Sequence, residues 1–140
     1  MVTITARYDG SLRCTARHGP SDSTLETDAP VDNHGRGESF SPTDLLATAL
    51  LTCTMTTMAI AAKRANIALG DMSGTVEKQM VAVPNRRVGA LPIRLTIPGS
   101  FTPEQKKALE TAARACPVAS SIHPNIDAAM VFEYPDEERR

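Results

Sequence analysis

The sequence predicts an α+β fold in the order strands, helix, strands, helix, strand, and three observations carry that prediction. The first is a run over residues 41–62 in which nothing after Asp44 is charged. The second is a pair of alternating segments, 2–16 and 72–97, each broken by turn residues and each reading as an antiparallel hairpin. The third is a stretch after Thr102-Pro103 whose apolar residues recur at helical spacing.

Taken in order, Val2, Ile4, Ala6 and Tyr8 alternate with polar residues, Asp9-Gly10 supplies a turn, and Leu12, Cys14 and Ala16 resume the alternation. Residues 18–22 read as a turn and 23–27 as a short strand. Residues 29–40 (APVDNHGRGESF) form a polar, glycine-containing loop that delivers the chain to the long helix, and such loops often carry function. Ser41 is a good N-cap. Pro42 suits the first helical position, where its missing N–H would be unpaired anyway, and Asp44 completes a capping-box pattern. The helix is expected to run through Lys63 and Arg64, whose charges suit the carboxyl end of the dipole, and to stop by Gly70.

A helix that is apolar or hydroxyl-bearing on every face belongs inside a protein or inside a membrane. At about 27 Å the uncharged run is marginal for a span. Thr48, Thr52, Thr54, Thr56 and Thr57 put many hydroxyls on it, so a protein interior is the preferred reading and no membrane partner is expected. Further on, 72–83 and 88–97 read as the second hairpin, with Leu91, Ile93, Leu95 and Ile97 on one face. Thr102, Pro103 and Gln105 repeat the capping logic. Ala108, Leu109, Ala112, Ala113 and Cys116 then form a stripe opposite Lys106, Lys107, Glu110 and Arg114. Pro117 ends that helix at Cys116 and is placed to open a new short one. Residues 127–134 read as a last strand, and 135–140 as a charged, frayed tail.

At 140 residues without a dividing linker or repeat, residues 1–140 read as a single domain. Aromatics make up 4% of the chain and Trp is absent, so the core has to be built from Ala, Leu, Ile, Val and Met. The net charge of -1, with no basic stripe, gives no electrostatic case for nucleic acid. The amino terminus lacks the continuous apolar segment of a signal peptide, which makes the cytoplasm the expected compartment. Three cysteines without such a signal read as thiols in a reducing compartment.

Cys53 sits in mid-helix among apolar residues and threonines, where a free cysteine is usually a small core residue. Cys116 precedes a proline-started turn. It reads equally as a core residue at a helix end and as a thiol aimed at free backbone N–H groups, a setting that favours thiolate chemistry. Cys14, on a hairpin strand, reads as packing. His18, His34 and His123 stand in unrelated settings without a CxxC or HxxxH pair, so no metal is expected. Ser120-Ser121 is not a nucleophile elbow, and no glycine loop has the spacing of a phosphate cradle.

Three segments together resemble the OsmC/Ohr family of thiol-dependent peroxidases over nearly the whole chain. They are TDAPVDNHGRGESFSPTDLLATALLTC (27–53), VEKQM (76–80) and ALETAARACPVASSIHPNI (108–126). A cysteine on a long helix opened by Ser-Pro, followed 63 residues later by Cys-Pro-Val, is the specific part of the match. The resemblance implies an OsmC-like fold: a curved antiparallel sheet of about six strands, a long buried central helix and a second helix, in an intertwined homodimer with active sites at the interface. It implies an oxidative-stress peroxidase in which Cys53 attacks an organic (alkyl or lipid) hydroperoxide and Cys116 closes a disulfide with the resulting sulfenic acid. An external dithiol reductant, in this family often of the lipoyl type, would reopen it, with no bound cofactor. The better-characterised peroxidases of that family activate the thiolate with an arginine held by a glutamate ten residues before the reactive cysteine. Here that position is Thr43, Asp44 reads as a cap, and Arg17 and Arg36 are the candidates among Arg7, Arg13, Arg17 and Arg36. The other function class compatible with the residues is a small-molecule or lipid-binding, or redox-sensing, dimer without efficient turnover.

Overall fold

A computed structural model describes residues 1–137. The carboxyl-terminal tail expected over 135–140 therefore falls partly outside the described residues. The chain divides into two compact units, Met1–Leu46 and Ala47–Arg140.

The first unit is an antiparallel meander of β1 (Ile4–Gly10), β2 (Arg13–His18) and β3 (Thr24–Asp28), in that order. The expected hairpin is present, but its turn is at Ser11-Leu12 and not at Asp9-Gly10. Both turn residues have positive φ, 53° and 62°, as a two-residue connection between right-twisted strands requires. Gly10, at φ 86°, absorbs a register shift between Tyr8 and Gly10. Leu12 keeps its unusual backbone because its N–H donates to Tyr8 Oη (3.3 Å) and its carbonyl accepts from Ala29 N–H (3.0 Å).

Direct cross-strand partners share a face, so the register sorts the side chains of this sheet. Ile4, Ala6, Tyr8, Cys14, Ala16 and Leu25 lie on one face, and Arg7, Arg13, Thr15, Arg17, Glu26 and Asp28 on the other. The loop after β3 makes a 3₁₀ turn (Val31–Asn33) and folds tightly against its own start. A Cβ at Gly35 would stand 1.7 Å from the Ala29 carbonyl oxygen, so only glycine fits there. At Ser41 the capping box forms as the residues predict. Asp44 N–H donates to Ser41 Oγ (3.1 Å), and Ser41 N–H donates to the Asp44 carboxylate (2.8 Å).

Helix α1 (Pro42–Arg64) follows, with Lys63 and Arg64 in its last turn as expected. The second unit, which holds most of it, adds β4 (Ser73–Val76), β5 (Gln79–Val81), β6 (Arg87–Ala90), β7 (Ile93–Thr96), α2 (Pro103–Arg114) and β8 (Met130–Glu133). The second hairpin is split in two: β4 pairs with β7, and β5 with β6. Pro92, which has no N–H for the ladder, stands at the break, where Glu77 N–H donates to its carbonyl (3.1 Å).

Strand β8 joins β7 in parallel, so among the described residues the strands number eight in three sheets where about six in one antiparallel sheet are expected. A parallel neighbour needs a crossover connection, and α2 with its following loop supplies one between β7 and β8. The α+β class with two helices stands as predicted. The core of this unit is the predicted row Leu91, Ile93, Leu95 and Ile97, together with Leu50, Met58, Leu109, Ala113 and Cys116.

Helix α1 buries only a narrow stripe of Ala47, Leu50, Thr54, Met58 and Ala62. By length and composition it is apolar enough to cross a membrane, yet only 28% of its most apolar window is buried within the chain. The rest of its apolar circumference is at least partly open. So is the apolar face of the first sheet, where Ile4 is 66% and Tyr8 64% exposed.

Candidate active site

Both candidate thiols belong to the second unit. Cys53 is half-buried on α1, beside the buried stripe, and Cys116 is fully buried two residues after α2. Neither is bonded to another cysteine. Cys116 packs against α1 at Thr54, the residue following Cys53: Thr54 Oγ1 lies 3.6 Å from Cys116 Sγ, and both residues have no exposed surface. The second cysteine is thus held one helix position away from the first.

The short helix expected after Pro117 is a turn. Its carbonyl-to-amide bonds, Ser120 N–H to Cys116 O (3.1 Å) and Ile122 N–H to Val118 O (3.0 Å), do not propagate into a helix. Cys116 still acts as its cap, since Ala119 N–H donates to Cys116 Sγ (3.3 Å). The sulfur therefore sits against a backbone donor, as the residues before Pro117 predict.

Arg17 and Arg36 lie in the first unit. Arg17 donates from Nη2 to Asp22 Oδ1 (2.5 Å) in an exposed pair. Arg36 is exposed on the loop, and its charge contributes to holding the Asp28 carboxyl down. The arginine with the most built surroundings is one that sequence reading left unranked. Arg13 grips Asp28 with both ends of its fork, Nε to Oδ1 (2.7 Å) and Nη2 to Oδ2 (2.8 Å), and its Nη2 also donates to Glu38 (3.0 Å). Glu38 N–H donates to Asp28 Oδ2 (3.1 Å), which pins the loop back onto the sheet. Arg13 and Asp28 are direct cross-strand partners, and this register is why they meet. The Arg13 hydrogen bonds hold the Asp28 carboxyl below its ordinary range, and Asp28 and Glu38 push the guanidinium further up. The signal for this pair lay in the turn after β2, whose exact length sets which residues of β2 and β3 oppose one another. For Thr54 the only signal was a hydroxyl beside Cys53 in an apolar run.

An open cleft of about 630 Å³ runs along the carboxyl half of α1, lined by Met55, Thr56, Ala59, Lys63, Leu69 and Asp71 among others. Thr56 is three residues on from Cys53, the spacing of neighbours on a helix surface. Among the described residues, no group of three or more His, Cys, Asp or Glu side chains is arranged to hold a metal ion.

Two helices with antiparallel and mixed sheets, one thiol on the long helix and a second, buried thiol packed against it define the class, an α+β protein. The OsmC-like protein family profile matches residues 35–130, and the chain belongs to that family. The structure is similar to that of a Psychrobacter arcticus protein provisionally designated an osmotic stress induced and detoxification response protein. The identity is 41%, the coverage 95% of this chain and 96% of that one, and the TM-score 0.88. It shares its fold with an organic hydroperoxide resistance protein OsmC from Legionella pneumophila, at 21% identity, coverage of 95% and 96%, and TM-score 0.74. The same holds for an organic hydroperoxide resistance protein from Elizabethkingia anophelis, at 18% identity, coverage of 96% of each chain, and TM-score 0.79. No curated protein matches in sequence.

Proposed function

We propose that this protein is a cytoplasmic, homodimeric thiol peroxidase that reduces organic hydroperoxides. The Cys53 thiolate attacks the distal oxygen of the hydroperoxide, and the O–O bond breaks. The alkoxide takes up a proton and leaves as an alcohol, and Cys53 becomes a sulfenic acid. The Cys116 thiol then attacks the Cys53 sulfur. An S–S bond forms, the S–O bond breaks, and the sulfenic oxygen leaves as water with the thiol proton. An external dithiol restores both thiols by exchange and is itself oxidised to a disulfide.

The observation that carries this reading is the packing of Cys116 on Thr54, which brings the second thiol to the helix position beside Cys53. The cleft one turn further along α1 has an apolar part formed by Met55, Ala59, Ile67, Leu69 and Met72 that suits an alkyl chain, which favours organic hydroperoxides over hydrogen peroxide. The open apolar faces of α1 and of the first sheet support a dimer, since surfaces of this kind are normally covered. Arg17 and Arg36 stay as the proposed thiolate-activating residues. One equivalent of cumene hydroperoxide should remove two thiols per chain, and none in Cys53→Ser. Equal peroxide consumption by both proteins would refute the assignment. The cleft also favours a second reading, a small-molecule or lipid-binding or redox-sensing dimer. An unreactive Cys53 combined with saturable uptake of a fluorescent fatty acid would select the binding form.

A further inference from the structure

The contact between α1 and Cys116 has a direction that the hydroxyl geometry settles. Thr54 Oγ1 donates its only proton to the Leu50 carbonyl (2.8 Å), the usual bond of a threonine inside a helix to the turn before it. With that proton committed, the 3.6 Å contact is made by the Cys116 S–H donating to Thr54 Oγ1. On its other side the same sulfur accepts from Ala119 N–H (3.3 Å). Cys116 is therefore satisfied both as donor and as acceptor, with its S–H vector fixed on the residue that follows Cys53. Neither partner has any exposed surface, so water cannot replace the threonine.

We propose that Thr54 is a positioning residue for the resolving thiol: it holds the Cys116 sulfur at α1, one position from Cys53, until a sulfenic acid forms there. This rests on the peroxidase reading above and adds to it the step that Thr54 serves. Cys53 and Thr54 point about 100° apart around the helix, so the resting S–H contact to Thr54 has to break as the Cys116 sulfur swings toward Cys53. When Cys116 gives up its proton in that step, the Thr54 hydroxyl can turn from the Leu50 carbonyl to the sulfur, offering a donor in place of an acceptor. Thr54 has no part in the first oxidation, whose only reacting atoms are those of Cys53 and the peroxide.

The test separates the two steps in the full-length protein. Thr54→Val keeps the shape and removes the hydroxyl, and Thr54→Ser keeps the hydroxyl. One equivalent of cumene hydroperoxide is added in the presence of dimedone, and the rates of Cys53 oxidation and of Cys53–Cys116 disulfide formation are followed by quenched mass spectrometry. Thr54→Val should oxidise Cys53 at the wild-type rate but close the disulfide about tenfold more slowly, because the hydroxyl that turns to donate to the sulfur as Cys116 loses its proton is missing, and one such hydrogen bond of about 1.4 kcal/mol corresponds to that factor. Dimedone-labelled Cys53 should accumulate. Thr54→Ser should close at the wild-type rate, a rescue that a purely packing role would not produce, because serine lacks the methyl group.

Closure is also driven by diamide, which needs no peroxide. A wild-type protein inert to cumene hydroperoxide would overturn the peroxidase reading while leaving the diamide comparison to decide the role of Thr54. Thr54→Val closing as fast as wild type, or Thr54→Ser as slow as Thr54→Val, would overturn the proposal. Should Thr54→Val fail to fold, the serine variant decides alone, since slowed closure in that folded protein contradicts it and wild-type closure supports it.

Discussion

The proposed dimer makes a quantitative demand on the apolar face of the first sheet. Ile4 lies in β1 with 66% of its surface open, on the same face as Ala6 and Tyr8. Fully burying an isoleucine side chain is worth about 1.5–3 kcal/mol. A partner covering the open two-thirds therefore gains about 1–2 kcal/mol from each copy. A two-fold interface uses the same residue twice, so Ile4 contributes about 2–4 kcal/mol to association. Ile4→Asp should accordingly raise the dimer dissociation constant by at least about 30- to 700-fold, more if the carboxylate is desolvated. Sedimentation velocity over a concentration series reads this shift, and circular dichroism checks that the variant stays folded. A wild-type protein that sediments as a monomer throughout the series, or an Ile4→Asp variant with an unchanged dissociation constant, would refute the reasoning.

Two further predictions concern the segments that lead into α1. The Asp28 carboxyl is held below its ordinary value near 3.8 by Arg13, so its contribution to stability is complete above that value and is lost as pH falls through the lower folded value. Asp28→Asn should lower the melting temperature at pH 7 and flatten its fall on acidification below about pH 4, where wild type loses the same interaction. An unchanged acid profile in differential scanning calorimetry would contradict this. Ser41→Ala removes the Oγ that accepts Asp44 N–H and should cost about 1 kcal/mol in urea unfolding, with Ser41→Asn recovering most of it. A cost near zero would show that the capping box adds nothing to the start of α1.

What the residues disclosed and what they withheld follow a physical division. The limits of α1 were legible because they are local: a cap and a proline at one end, basic residues at the other, and no breaker between. The row Leu91, Ile93, Leu95 and Ile97 was legible for the same reason, since alternation over one strand needs no knowledge of its partners. Pairing was legible only in part. The Arg13–Asp28 pair, 15 residues apart, depends on the register of β2 against β3, which the turn residues over 18–22 do not state. The parallel docking of β8 depends on how α2 returns the chain, which no local pattern states. At the site, Cys53 and Cys116 were visible as residue types at a telling distance in sequence. Thr54 emerged only once the two helical segments had been brought together in space.

The central claim is that Cys53 and Cys116 form one redox pair, and the measurement that tests it most directly is thiol stoichiometry. Wild type, Cys53→Ser and Cys116→Ser are titrated for free thiols before and after one equivalent of cumene hydroperoxide per chain. The account predicts the loss of two thiols in wild type, of none in Cys53→Ser, and of one in Cys116→Ser, where Cys53 stops at the sulfenic acid. Loss of the same number of thiols in wild type and Cys53→Ser would contradict it.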